Sequence, residues 1–136
     1  MKYVLDTNAL SALMKGDARA LGRLRTAGRA DVAIPQPVVA EIAYGIDRLV
    51  RSKRRQVLQE RFDLLRAELP RCQWTDTVSE HFGAIKASLE RSGQRIEDFD
   101  AAIAAHALAD GAILVTANLE HVVRVPGLVV EDWTSG

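Results

Sequence analysis

The sequence predicts a single α/β domain built around a mainly parallel sheet. Short apolar runs typical of buried strands alternate along the chain with longer segments whose apolar residues recur at helical spacing. The chain has 136 residues, 48% of them hydrophobic, which is enough to bury one sizeable core. No internal repeat, low-complexity tract or flexible linker divides it, so we expect residues 1–136 to form one domain.

The first part of the chain predicts two strands separated by helices. Tyr3-Val4-Leu5 is a short apolar run, and Asp6-Thr7-Asn8 behind it suits a helix start because these side chains cap free backbone amides. Apolar residues then recur at helical spacing within 10–14 and within 21–25, which predicts two short helices. The apolar run 32–34 predicts the second strand.

The rest of the chain predicts four helices and two further strands. The run of small residues from Ala101 to Ala109 allows a helix to lie close to a sheet, and Pro70 and Gly111 end two of the helices. The predicted helices cover 38–49, 53–69, 78–89 and 98–109, and the predicted strands cover 112–115 and 128–130. Strands alternating with helices in this way are typical of a parallel sheet.

The composition excludes several classes of protein. Lys plus Arg and Asp plus Glu each total 18, so no global positive field points to nucleic acid, and any such contact needs a local patch. Positive charge is concentrated between Arg48 and Arg66, which we interpret as a solvated helix face rather than a direct RNA contact. Cys72 is the single cysteine, which excludes an internal disulfide. No apolar run approaches the roughly 20 residues that cross a bilayer, and no signal peptide is recognisable, so we expect a soluble cytoplasmic protein.

Acidic residues follow the predicted strands at the edge where parallel sheets bind ligands. Asp6 directly follows the first strand and Thr116 follows strand 112–115, so both lie at the carboxyl ends of strands. Asp100 lies in the opening turn of the helix that leads to that later strand, and Glu41 lies early in the helix after the second strand. We therefore expect these segments to meet in an acidic pocket.

Carboxylates clustered in such a pocket favour a divalent cation. They repel one another, so the cluster persists by holding protons or by binding a cation. Mg²⁺ and Mn²⁺ prefer oxygen ligands and are the ions of phosphodiester chemistry. Each acid also has an ordinary interpretation, because Asp6 and Asp100 suit helix caps and Glu41 suits an exposed surface. Spacing alone leaves both interpretations open.

Four segments resemble the motifs of the PIN-domain family. In that family a hydrophobic strand is followed by Asp-Thr, a helical glutamate precedes an aromatic residue and glycine, an aspartate precedes an Ile-Ala-Ala helix, and a Thr-x-Asn element follows a later strand. The corresponding segments are Tyr3 to Asn8, Pro37 to Gly45, Ile96 to Ala107, and Leu114 to Asn118, the last continued by 124–128 and 131–133 as in VapC-type toxins. The resemblance therefore spans the chain.

The resemblance implies a fold, an activity and partners. It implies a three-layer α/β/α sandwich with a central, mainly parallel sheet, and Mg²⁺-dependent endonucleolytic cleavage of RNA. It implies that Asp6, Glu41 and Asp100 bind the metal, while Thr116 and Asn118 support the pocket by hydrogen bonds. It further implies the toxin of a toxin–antitoxin pair, a homodimer that is inhibited by a small VapB-type antitoxin.

The chain departs from the family pattern after the Thr-x-Asn element. Relatives place an acid and then an aromatic residue there, where this sequence has His121 and Val122. Glu120 substitutes for that acid only if the backbone shifts by one residue. A fourth acid and a second metal ion therefore stay open, and Asn8 is expected to support Asp6.

Two other functions are compatible with acids at strand ends. Receiver domains and phosphatases also place acids and threonine around Mg²⁺ in α/β folds, but the phosphatase pattern needs a second aspartate where this chain has Asn8. A PIN fold that binds RNA or a partner without cutting is the other alternative. The RNA target stays open among transfer, ribosomal and messenger RNA, because specificity depends on surface shape.

Three ring-bearing residues are interpreted as structural. His106 lies six residues after Asp100, about 240° around an ideal helix, so it should point away from the acids. Trp74 and Trp133 stand beside strand-like segments and are expected to pack rather than to stack on bases.

Overall fold

Five short parallel strands form the sheet at the centre of the protein. A computed structural model describes residues 2–135, and its strands pair in the order β3-β2-β1-β4-β5. The strands are β1 (Tyr3–Leu5), β2 (Val32–Pro35), β3 (Arg71–Cys72), β4 (Ile113–Val115) and β5 (Val130–Glu131). Each neighbouring pair is parallel, and β1 and β4 lie in register with Leu5 opposite Val115.

Seven α-helices connect the strands within the part of the chain that the structure describes. They are α1 (Thr7–Met14), α2 (Ala18–Ala27), α3 (Gln36–Asp47), α4 (Lys53–Glu68), α5 (Asp76–Arg91), α6 (Asp98–Ala109) and α7 (Leu119–Val122), with a 3-10 turn at Arg29–Asp31. Side chains cap the starts of α2 and α5, where Asp17 accepts from the Ala20 amide (2.9 Å) and Thr75 accepts from the Val78 amide (3.3 Å). No helix between Lys2 and Ser135 is long and apolar enough to cross a membrane.

The strand order makes the sheet doubly wound. From β1 the chain moves through β2 to β3 on one side, then returns across β1 to β4 and β5 on the other side. Because crossovers between parallel strands are right-handed, α1 to α4 cover one face and α5 and α6 cover the other. The predicted three-layer sandwich is confirmed, and the order of the strands reverses between β1 and β4, which is where such sheets bind ligands.

The apolar core consists of two clusters, and the larger one buries the sheet. The larger cluster joins the strands to α1, α3 and α4 through residues such as Leu5, Leu10, Ile42 and Phe62. The smaller cluster lies between α5 and α6, where the small side chains of α6 allow close packing. The predicted run of small residues on α6 is thus buried from Ala101 to Ala107.

The sequence missed two elements and misplaced one. β3 consists of Arg71 and Cys72, too short for an alternating pattern, and it forms because β2 offers it a partner at Ile34. The helix α7 has four residues and no helical stripe. The last strand was predicted at 128–130 but lies at Val130–Glu131, because its register is set by hydrogen bonds to β4, including Thr116 N–H to the Glu131 carbonyl (2.9 Å).

The ring-bearing residues pack as expected. Trp133 is buried and meets Tyr3 edge to face at 5.4 Å between ring centroids, while its indole N–H donates to Glu131 (3.0 Å). Trp74 is half-exposed and lies edge to face on His106 at 5.2 Å. Burial lowers the pKa of His106, whose two ring nitrogens have no hydrogen-bond partner among residues 2–135. His106 therefore belongs to the core and not to the acidic edge.

Candidate active site

A pocket of about 140 Å³ opens at the carboxyl ends of β1 and β4, where the strand order reverses. Its lining residues are Asp6, Thr7, Asn8, Glu41, Asp100, Thr116, Asn118, His121 and Val122. The two strand ends are joined directly, since the Asp6 N–H donates to the Val115 carbonyl (3.0 Å). All five residues that the sequence nominated for the site therefore lie around one pocket.

Asp6 both caps the helix α1 and lines the pocket. As the N-cap of α1, its Oδ1 accepts from the Ala9 amide (2.8 Å), which explains why the chain turns from strand into helix here. Burial raises the pKa of Asp6 to about 6. The Thr116 hydroxyl and the Ala9 amide act against that rise in the pKa, while the charges of Asp100 and Glu41 add to it.

Glu41 is held to the first helix of the protein. It lies in α3, which begins after the extended Pro35, and its Oε1 accepts a hydrogen bond from the Thr7 hydroxyl. This contact ties α1 to α3 beside the pocket. Glu41 is therefore only partly exposed, unlike the surface acid that the ordinary interpretation assumes.

Asp100 differs from Asp6 and Glu41 in the hydrogen bonding of its carboxylate. It lies in the first turn of α6, whose N-cap is Glu97, and within residues 2–135 its carboxylate receives no hydrogen bond in the structure. Burial raises its pKa, the proximity of His121 lowers it, and Glu97 raises it further. Asp100 does not cap the helix, so the ordinary interpretation of this aspartate as an N-cap is wrong.

Thr116 and Asn118 shape the turn that follows β4. Thr116 is buried, and its hydroxyl oxygen accepts from the Asn118 amide at 2.9 Å. Asn118 is the N-cap position of α7 and makes no side-chain capping bond. Its amide group is therefore available to a ligand in the pocket.

The structure shows which residue after the Thr116–Asn118 turn lines the pocket. His121 lines the pocket, whereas Glu120 is exposed and lies outside its lining. The backbone is not shifted to bring Glu120 inward, so among the described residues that line this pocket there is no fourth acid. Asn8 also lines the pocket but makes no hydrogen bond to Asp6 in the described part of the chain.

Comparison with known proteins agrees with the motifs. The family model described as PIN domain matches residues 3–127. The chain belongs to the PIN-domain family. This PIN domain is 31% identical over 135 residues to Ribonuclease VapC2 of Rickettsia felis, covering 98% of each chain. It is 29% identical over 133 residues to the tRNA(fMet)-specific endonuclease VapC of Salmonella typhimurium, again covering 98% of each.

The fold of this PIN domain is also found in solved structures. A chain of VapBC2 from Rickettsia felis, bound to a DNA fragment from its promoter, superposes with a TM-score of 0.86 at 29% identity. The superposition covers 98% of this chain and 99% of the other. The predicted PIN fold is confirmed by these matches.

The donor atoms of this PIN domain suit a hard cation. Between Lys2 and Ser135, no three His, Cys, Asp or Glu side chains converge closely enough to ligate one ion together. Mg²⁺ does not need such a set, because it keeps several waters and uses one or two carboxylates. Asp6 and Asp100 supply carboxylates whose pKa values are raised by burial, and a bound cation would offset their repulsion. The pocket therefore fits Mg²⁺ or Mn²⁺.

Sequence reasoning did not nominate Thr7, whose hydroxyl holds Glu41. The one signal in the sequence is that Thr7 directly follows Asp6 at the start of a predicted helix. The contact joins residues 34 positions apart, and the sequence alone does not show which helix α1 packs against.

Proposed function

We propose that this protein is a Mg²⁺-dependent endoribonuclease and the toxin of a toxin–antitoxin pair. The observation that carries the proposal is the pocket at the β1/β4 strand ends, which gathers Asp6, Glu41 and Asp100. The relatives named ribonuclease and endonuclease support the activity, and one of them is named for tRNA(fMet). Transfer RNA is therefore the first substrate class to test.

The protein's residues provide the setting for hydrolysis of a phosphodiester. Asp6, Glu41 and Asp100 would hold Mg²⁺ together with its bound waters, with one or two of the three acids as direct ligands. When bound, the ion lowers the pKa of a water and offsets charge on the phosphate. The Thr7 hydroxyl orients Glu41, and the Ala9 amide orients Asp6. In the overall reaction, the water oxygen bonds to phosphorus, one P–O ester bond breaks, and the departing sugar oxygen takes up a proton.

A groove beside the pocket offers a binding site for the proposed antitoxin. It lies between α1, α3 and α4, has a volume of about 260 Å³, and shares Thr7, Asn8 and Glu41 with the pocket. Apolar side chains line it, and the basic residues are Lys15 and Arg54. Similarity to the solved VapBC2 structure supports a VapB-type antitoxin as the partner. We propose that this antitoxin lays an acidic, amphipathic segment in the groove and so blocks the entrance to the pocket.

The basic region of α4 therefore has two parts. Arg55 pairs with Asp47 (3.0 Å) and Arg66 pairs with Asp63 (2.7 Å), as expected for a solvated helix face. Arg54 instead lines the groove. We propose in addition that the protein is cytoplasmic and forms a homodimer. Light scattering on the purified protein tests the dimer, and cell fractionation tests the location.

The test of the activity is cleavage of total cellular RNA by the purified protein. Discrete products are expected with Mg²⁺ and are expected to disappear with chelator or in folded Asp6→Asn protein. RNA that is bound but never cut would favour the noncatalytic alternative, and labelling by acetyl phosphate would favour phosphotransfer. For the antitoxin, Leu58→Glu in the groove should weaken inhibition by a purified VapB-type protein while leaving cleavage intact.

A further inference from the structure

His121 places an imidazole in a pocket whose other ionisable residues are acids. It lies in α7, directly after the Thr116–Asn118 turn, and lines the pocket together with Asp6 and Asp100. Of the described residues that line the pocket, His121 is the one whose side chain can carry positive charge. The PIN-domain pattern has an acid at this position, from which this sequence departs.

The Nδ1 atom of His121 has no partner in the structure. It is shielded from solvent and makes no hydrogen bond to any residue between Lys2 and Ser135. Buried polar atoms are almost always paired, and leaving one unpaired costs free energy. Because the shielded Nδ1 cannot be reached from the pocket, Nε2, which is not shielded, is the ring nitrogen that can meet a ligand there.

The electrostatics of the pocket indicate which ligand atom that partner is. Asp6, Glu41 and Asp100 repel an anionic phosphate, and His121 is close enough to Asp100 to influence the pKa of that carboxyl. An imidazole N–H donates a hydrogen bond to a phosphate oxygen, which none of the carboxylates can do when ionised. His121 thus supplies the donor that the acids lack.

Resting on the proposed nuclease function, we propose that His121 is a substrate-binding residue that donates a hydrogen bond to a phosphate oxygen of bound RNA. The opposite role, as a ligand of the metal ion, suits the pocket less well. The other donors are oxygens of the kind that Mg²⁺ and Mn²⁺ prefer, whereas imidazole suits softer transition metals.

A hydrogen bond from His121 to the RNA phosphate should affect KM more than kcat. A contact made to the phosphate in both the ground state and the transition state lowers KM and has little effect on kcat. We expect His121→Ala to raise KM for RNA by about tenfold, the low end of what a hydrogen bond to a charged group contributes. His121→Gln keeps an N–H donor and should lose less, whereas His121→Glu adds a repelling charge and should lose more.

The experiment measures KM and kcat for cleavage of a labelled RNA, Mg²⁺ binding by calorimetry, and thermal unfolding for each variant. The matched control is His81→Ala, a partly exposed histidine on α5 outside the pocket, which should match the wild type. A graded rise in KM from Gln to Ala to Glu, with unchanged Mg²⁺ affinity in His121→Ala, supports the proposal.

Three results overturn it. An unchanged KM in His121→Ala shows that the imidazole does not contact RNA. A loss of Mg²⁺ affinity in His121→Ala shows that it is a metal ligand, and a lower unfolding temperature in all three His121 variants with no gradation in KM shows a structural role. If the wild-type protein cuts no RNA, the nuclease proposal itself fails, which is distinct from each of these results.

Discussion

The two walls of the pocket hold their side chains in different ways. On the α1/α3 wall, which we define as Asp6, Thr7 and Glu41, the Ala9 amide fixes Asp6 and the Thr7 hydroxyl fixes Glu41. On the α6/α7 wall, which we define as Asp100 and His121, neither side chain has a hydrogen bond within residues 2–135. The first wall is ordered by the fold itself, and the second is free to be ordered by what binds.

This difference separates the effects of mutation on stability from those on function. A residue of the α1/α3 wall contributes to both stability and function, because its hydrogen bond also caps α1 or joins α1 to α3. A residue of the α6/α7 wall can be changed with little loss of stability, so its effects report on the ligand. The predictions below follow from this contrast.

The largest effect is expected for Asp100→Asn. It should lower RNA cleavage by at least about a hundredfold, since loss of even an indirect partner of a metal site costs 10–100-fold. Thermal unfolding should be unchanged or slightly improved, because a partly buried charge is removed without loss of a hydrogen bond. Asp110→Asn, an exposed acid just past the other end of α6, is the matched control. Undiminished cleavage by folded Asp100→Asn protein would remove Asp100 from the site.

The second effect is a pH dependence of stability contributed by Asp6. Its pKa is about 6 in the folded protein, compared with 3.8 for an unperturbed aspartate, so between these pH values the folded state holds a proton that the unfolded state has lost. The stability that this proton contributes is present at pH 4 and is lost as the pH rises through 6. We estimate the loss as about 2 kcal/mol after allowing for solvent access.

Urea unfolding of wild-type and Asp6→Asn protein in chelator, from pH 4 to 7.5, measures this term. The advantage of Asp6→Asn over the wild type should grow as the pH rises. Adding Mg²⁺ should stabilise the wild type and shrink that advantage, since a bound cation replaces the proton. A difference between the two proteins that does not change with pH would show that the Asp6 carboxyl is not perturbed.

The third effect is expected for Thr7→Val, which removes the hydroxyl that holds Glu41 while keeping the shape of the side chain. Cleavage should fall by about tenfold, the loss typical of a partner that orients a metal-binding residue. Thr26→Val is the matched control, because the Thr26 hydroxyl bonds only the Gly22 carbonyl of its own helix (3.1 Å). Equal activities of the two variants would show that the orientation of Glu41 does not matter.

The smallest effect separates the two roles of Asp6, which are to cap α1 and, as proposed, to bind the metal ion. Both Asp6→Asn and Asp6→Ala should abolish cleavage, but only alanine removes the cap of α1. Alanine should therefore lower the free energy of unfolding by about 1 kcal/mol relative to asparagine. Chemical denaturation in chelator measures the difference, and identical values would show that the Asp6–Ala9 contact is not stabilising.

The sequence predicted the strands and helices whose own residues show an apolar run or an apolar stripe at helical spacing. Val32-Ala33-Ile34 is a continuous apolar run because β2 is buried on both faces. The helix α5 carries an apolar stripe because one side of it is buried. β3 and α7 carry no such pattern. They form because a strand edge at Ile34 and the turn at Thr116 offer partners that are distant in sequence.

The sequence by itself determined the parallel α/β fold. It also determined that Asp6, Glu41 and Asp100 lie at strand ends or helix starts, which converge at one edge of any such sheet. Only the tertiary structure decided that Thr7 holds Glu41, that the Asp100 carboxylate receives no hydrogen bond within residues 2–135, and that His121 rather than Glu120 lines the pocket. The reason is physical. Patterning reports which side of an element is buried, whereas hydrogen bonds between elements depend on angles and distances that packing alone fixes.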